Sequence, residues 1–249
     1  MPGVKTTGFA QGLFEISSTK KERLGTLRVE PDGRVFAYAK AGSTALAAGK
    51  LNVSSAPSAT STDETVATSA AVGDYSIAVT FGGAKTANLY ADGYLWINDD
   101  TGEGHVYRVK NHAAGTTAVV INLEDPIRVA VTAGSGTASC YPNPQDGVVV
   151  LPAATAAAVG APAGFAPTVV TASYYFWHLV KGPTAALVSG TVVLGNEVYG
   201  DFTASTGVEG AVIPGSTLAM QIIGGCVGVC LVVNATTEYS LINARISGY

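Results

Sequence analysis

The chain has 249 residues, 47% of them hydrophobic and only 13% charged, half the ~25% charged share of ordinary soluble domains. Its formal net charge is −4, which argues against direct nucleic-acid binding, since that requires a basic face. A lone monomer of this size keeps its surface soluble with charge, so the composition points to an exterior covered by copies of the chain or by a partner.

Residues 1–23 read as an extended arm. Gly3, Gly8 and Gly12 punctuate it without a hydrophobic period, and Phe9, Leu13, Phe14 and Ile16 are apolar anchors with no local core. Such anchors belong in a groove on a neighbour. The opening stretch lacks the apolar run, roughly 7–15 residues long, of a signal peptide, so the expectation is synthesis in a cytoplasm.

Leu24 to Lys40 reads as an antiparallel hairpin. Pro31-Asp32-Gly33 is its turn, Pro presetting φ and Gly accepting a positive φ. On the return strand Val35, Ala37 and Ala39 share one face, and Phe36 and Tyr38 the other. The following AGSTALAAGKL, with Leu46 and Leu51, is rich in small residues that permit close backbone approach, and a short helix is expected over 44–48. Residues 52–71 are polar and Ser/Thr-rich, either a linker or a long surface excursion. These features define an N-terminal anchoring region over 1–60.

A middle β module is expected over 61–140. Strands are read at 75–81, 87–97, 105–109, 119–123 and 127–131, separated by turn signals such as Gly82-Gly83 and Asn98-Asp99-Asp100. That rhythm marks a sandwich or barrel. A C-terminal β module follows over 141–249. Strands are read at 148–151, 174–180, 185–188, 191–194, 222–233 and 239–246, with a loop or strap through the Ala-rich stretch near 160. The segments YADGYLWINDDTGEGHVYRV and ASYYFWHLVKGPTAALVSG echo each other as strand, turn and strand. The fold class is therefore all-β: two or more small sandwich or barrel modules with an extended N-terminal arm.

No reactive centre emerges. His105, His112 and His178 are the only histidines, and packing or hydrogen bonding within a sheet accounts for them. No Ser sits in a nucleophile elbow, and no phosphate-binding loop follows the glycines near 224–228. Asp99, Asp100 and Glu103 form either a polar hairpin tip or an oxygen-rich calcium site; the tip is the simpler reading. Cys226 and Cys230, if extended, lie ~13 Å apart at ~3.4 Å per residue, beyond the ~7 Å limit for a disulfide, so free thiols are expected. The apolar run 222–233 is too short for the ~20 residues of a membrane helix. The aromatics Tyr90, Tyr94, Trp96, Tyr174, Tyr175 and Trp177 serve core or interface packing, or alternatively stack on a sugar. The expectation is a protein that is not an enzyme and has no cofactor, no metal, no nucleic-acid partner and no membrane partner.

The L-G-T-L hairpin, P-D-G turn, F-A-Y strand and A-L-A-A-G-K-L tail of residues 24–51 resemble the N-terminal region of tailed-bacteriophage head decoration (cement) proteins. The late segment YYFWHLVKGPTAALVSGTVVLG is similar to a recurring strand-turn-strand of such virion proteins. The resemblance implies a structural protein on the capsid exterior of a virion, made in the host cytoplasm. It also implies a homotrimer and the major capsid protein as partner. On this reading Phe9, Leu13, Phe14, Ile16, Phe36, Tyr38, Leu46 and Leu51 make the capsid contacts. The chain is larger than simple cement proteins, which leaves room for the alternative of a head-fibre or tail-spike adhesin binding a host glycan through the aromatic C-terminal module.

Overall fold

The computed structural model describes residues 4–5, 7–153, 160–202, 207–215 and 225–247, with side chains from residue 7 onward. The described chain is all-β. It contains no α-helix, and a single 3-10 turn spans Ala59–Ser61. The chain divides into two compact units: residues 1–56 with 144–249, and residues 57–143. The segments expected as separate N-terminal and C-terminal pieces thus share one unit, because their strands pair with each other.

That first unit is built from β1 (Val4–Lys5), β2 (Leu27–Val29), β3 (Val35–Ala41) and β4 (Leu51–Val53), then, after the second unit's β5 to β10, from β11 (Asp146–Val150), β12 (Pro162–Phe165), β13 (Tyr175–Leu187), β14 (Glu197–Gly200), β15 (Val212–Pro214), β16 (Cys226–Val232) and β17 (Tyr239–Arg245). They form one eleven-stranded sheet in the order β1-β2-β3-β11-β4-β12-β13-β17-β16-β14-β15. Since β3 also pairs with β13, the strands β3, β11, β4, β12 and β13 close a ring of pairings. One face of these strands holds the main core, with Phe36, Tyr38, Leu51, Phe165, Trp177 and Leu179. The other gathers Ala39, Ala41, Leu46, Val148, Val150 and Phe176. A ring of so few strands encloses little volume, which is why alanines recur along β3.

β13 corrects one expectation. Lys181-Gly182-Pro183 is not a turn but the middle of a strand running from Tyr175 to Leu187. Lys181 pairs with Val35 of β3 and with Arg245 of β17, so the strand changes neighbours there. Proline lacks an N–H and is tolerated where the ladder on one side has ended. The echo between the two aromatic segments is therefore not a structural repeat, since the other segment forms a true hairpin in the second unit.

Residues 7–26 do not stand away as an arm. Phe9 packs edge-on to Trp177 at 5.2 Å between ring centroids, with the Arg28 guanidinium 4.5 Å from the Phe9 ring. Buried Gln11 acts as a staple. Its Nε2 donates to the carbonyls of Glu15 (2.7 Å) and Tyr175 (3.0 Å), and its Oε1 accepts from the Tyr38 hydroxyl at 2.7 Å. Trp177 Nε1 donates to the Gln11 carbonyl at 3.2 Å. The helix expected over 44–48 is absent: Leu46 forms an isolated bridge with Val170. Asn52, Val53 and Ser54 are buried rather than part of a surface excursion.

The second unit is a closed antiparallel barrel of β5 (Glu64–Thr68), β6 (Ser76–Thr80), β7 (Tyr94–Asp99), β8 (Val106–His112), β9 (Ala118–Leu123) and β10 (Thr137–Tyr141), in the cyclic order β5-β6-β9-β8-β7-β10. Strict alternation places Ile77 and Val79, Leu95 and Ile97, Tyr107 and Val109, and Val119, Ile121 and Leu123 inward. The stretch 127–131 is not a strand, although Ile127 and Val131 are buried in the same core and Val131 bridges to Ala70. The barrel lacks free sheet edges, the usual route to unwanted strand pairing.

Candidate interaction surfaces

No cluster of three or more His, Cys, Asp or Glu suited to a metal occurs among the described residues. The Asp100 carboxylate instead accepts a hydrogen bond from the Ser135 hydroxyl at 2.6 Å, which lowers its pKa. His112 is structural. Its Nε2 accepts the Tyr90 backbone N–H at 3.1 Å, so Nδ1 carries the proton and donates to the Ala113 carbonyl at 2.8 Å. Burial lowers its pKa. His178 lies on the Phe176 side of β13, 5.5 Å from that ring, and burial drives its pKa down to about 3. Neither of its ring nitrogens, nor the side-chain amide of Asn52, has a hydrogen-bond partner among the described residues. Gly164 makes room for the imidazole, because a Cβ there would sit 2.8 Å from its Cγ. The three cysteines are free thiols, and burial pushes Cys140 and Cys230 upward in pKa.

The eight residues read as partner contacts separate sharply. Phe36, Tyr38 and Leu51 are buried in the main core, and Leu46 in the ring core. Phe9 and Leu13 pack against the main core and Ile16 against the ring core. These seven side chains hold the first unit together. Only Phe14 is open, at 62% exposure. The reading failed because the arm's apolar residues were expected to lack a local core, whereas β13, more than 150 residues later in sequence, supplies one.

Phe14 borders an apolar groove of about 640 Å³ in the first unit. Its floor comes from register: Ala185 of β13 pairs with Leu241 of β17, and Leu187 with Tyr239. The outward positions of β17 are therefore the large side chains Tyr239 and Leu241, flanked by a small alanine. Gly49, at φ +68°, passes under the Tyr239 ring; a Cβ there would lie 2.7 Å from the ring carbon Cε1. Pro167 and Pro183 complete the lining, and Arg34 is its charged member. Arg34 is ion-paired with Asp32 at 2.6 Å. Val232, paired with Leu241 and 49% exposed, extends the apolar strip onto β16. The pattern YSLINAR signalled a half-buried strand, but both of its faces carry apolar residues, so sequence alone did not say which one faces outward.

Trp177, expected to be able to stack on a sugar, is fully buried, as is Tyr90. Compared with known proteins, the chain matches no family model, no curated protein and no solved structure.

Proposed function

We propose that this protein is a non-enzymatic structural component of a phage virion that binds the outer surface of the capsid and braces it. The observation that carries the reading is the open apolar groove between Phe14, Tyr239 and Leu241, on a chain with only 13% charged residues. Large exposed apolar patches on soluble proteins mark interaction sites. The resemblance of residues 24–51 to head decoration proteins names the partner, the major capsid protein, and a homotrimeric state on the shell. Many copies, each burying a modest apolar area at ~25 cal/mol per Å² less the cost of association, give the shell a large summed stabilisation.

Two measurements test the reading. Purified capsids lacking the protein are mixed with the wild-type chain and with Leu241→Asp, then pelleted. The wild type should co-sediment and the variant should remain in the supernatant with its fold intact by circular dichroism. Equal co-sedimentation of both, or none by the wild type, refutes the reading. Native mass spectrometry reports the oligomer, for which a trimer is expected.

A further inference from the structure

We propose that the barrel carries a carbohydrate-binding site for a carboxylated saccharide, independent of the capsid contact. The site is a trough of about 490 Å³ lined by Tyr75, Lys110, Asn111, Asn122, Leu123 and Glu124, within the size range of small-ligand sites. Three neighbouring strands build it. The Tyr75 carbonyl, just before β6, accepts the Leu123 N–H of β9 at 2.8 Å, which anchors the tyrosine at one end. Its side chain is 58% exposed, a flat apolar ring with a polar tip facing solvent. The aliphatic C–H face of a sugar ring stacks on such a surface.

The polar groups match a chain of hydroxyls. Val109 pairs with Leu123, and Asn111 with Asn122, so Lys110 is the extra residue of a β-bulge. Bulges re-aim side chains, and here Lys110 and Asn111 are both exposed although consecutive. Asn122 Nδ2 donates to Asn111 Oδ1 at 2.7 Å. That bond orients both amides and leaves Asn122 Oδ1 as acceptor and Asn111 Nδ2 as donor. Adjacent sugar hydroxyls, each donor and acceptor, fit this pair. The Glu124 carboxylate is engaged by Arg108 at 3.5 Å. The Lys110 ammonium has no ion pair among the described residues, and a carboxylate on the sugar supplies one. A single lysine in the trough, on a chain of net charge −4, does not suit a nucleic acid, whose backbone demands several cations.

The test uses the full chain on an array of neutral and hexuronate-containing oligosaccharides, followed by calorimetry on the strongest binder and its neutral analogue. Uronate-bearing chains should bind best. Tyr75→Ala should weaken both ligands by roughly tenfold or more, while Lys110→Gln should weaken the uronate chain by roughly tenfold and leave the neutral analogue nearly unchanged. Tyr239→Ala, in the groove of the other unit, should bind sugars as the wild type does. The proposal is overturned if no oligosaccharide binds, if neutral and acidic chains bind alike, or if Tyr75→Ala retains full affinity with its circular dichroism unchanged. Capsid pelleting by Tyr75→Ala should match the wild type, so the outcomes for glycan and capsid remain separable.

Discussion

Replacing Gln11 with alanine tests whether the N-terminal segment is part of the first unit's core or a detachable tether. The buried amide makes three hydrogen bonds, to the Glu15 carbonyl, the Tyr175 carbonyl and the Tyr38 hydroxyl. At ~1 kcal/mol net per bond, and more where a buried partner is left unsatisfied, the loss comes to about 2–4 kcal/mol. The Tyr38 hydroxyl keeps the bond it accepts from the Lys21 N–H at 3.0 Å, which holds the figure below a full sum of desolvation costs. The chain has two tryptophans, Trp177 in the first unit and Trp96 in the barrel. In a Trp96→Phe background, urea unfolding followed by fluorescence therefore reports on the first unit alone. The midpoint should fall while the slope stays constant. A change below about 0.5 kcal/mol, the scale of ordinary surface substitutions, would refute the reasoning and restore the picture of a free arm.

Acid should weaken the first unit through His178. Burial holds its pKa near 3 against 6.5 for the free imidazole, so below pH 6.5 the unfolded chain gains a proton that the native state refuses. Stability then falls as the pH drops from 6.5 towards 3, by at most about 5 kcal/mol. His178→Leu should flatten that limb in urea midpoints taken at pH 7 and pH 4.5; an unaltered limb would assign the acid sensitivity elsewhere. In the barrel, Gly93→Ala places a Cβ 2.3 Å from the Tyr141 carbonyl oxygen and 2.9 Å from the Asn143 nitrogen. Both are backbone atoms that cannot turn aside, so thermal unfolding followed through Trp96 should shift down by an amount typical of core overpacking, about 1–3 kcal/mol or more. Thiol titration with an aromatic disulfide reagent should find one reactive cysteine in the native state, the half-buried Cys226, and three after denaturation. Immediate reaction of all three would contradict the burial of Cys140 and Cys230.

The barrel was the most legible part of the sequence because its strands alternate cleanly. YSIAVTF and the run 119–123 predict β6 and β9 almost to the residue. β1, β4, β5, β10, β12, β14 and β15 were missed, β5 within the stretch 52–71 read as a linker or surface excursion and β12 within the Ala-rich stretch read as a loop or strap. Thr137–Tyr141 is mostly small and polar, and Val212–Pro214 is three residues ending in proline, so neither carries a periodic signal. The Gly-Pro of β13 was read as a turn because turn chemistry and a change of strand partners use the same residues. The interaction surfaces were less visible still. Burial of Phe36 and exposure of Leu241 are decided by pairings between distant segments, which no local pattern encodes. The bulge at Lys110 likewise arises only from register against β9.

The barrel lies in the chain between β4 and β11, which are themselves paired, Val53 with Val149. During synthesis β3 has only β2 beside it until β11 and then β13 leave the ribosome. At the usual speed of translation that interval lasts on the order of ten seconds. The inserted barrel holds all of its own strand partners and can close within that time, whereas the surrounding sheet has to keep its unpaired edge from meeting other nascent chains. Sparse charge makes that wait hazardous, so yield in a host cell should depend on chaperones that shelter the early strands far more than on the durability of the finished protein.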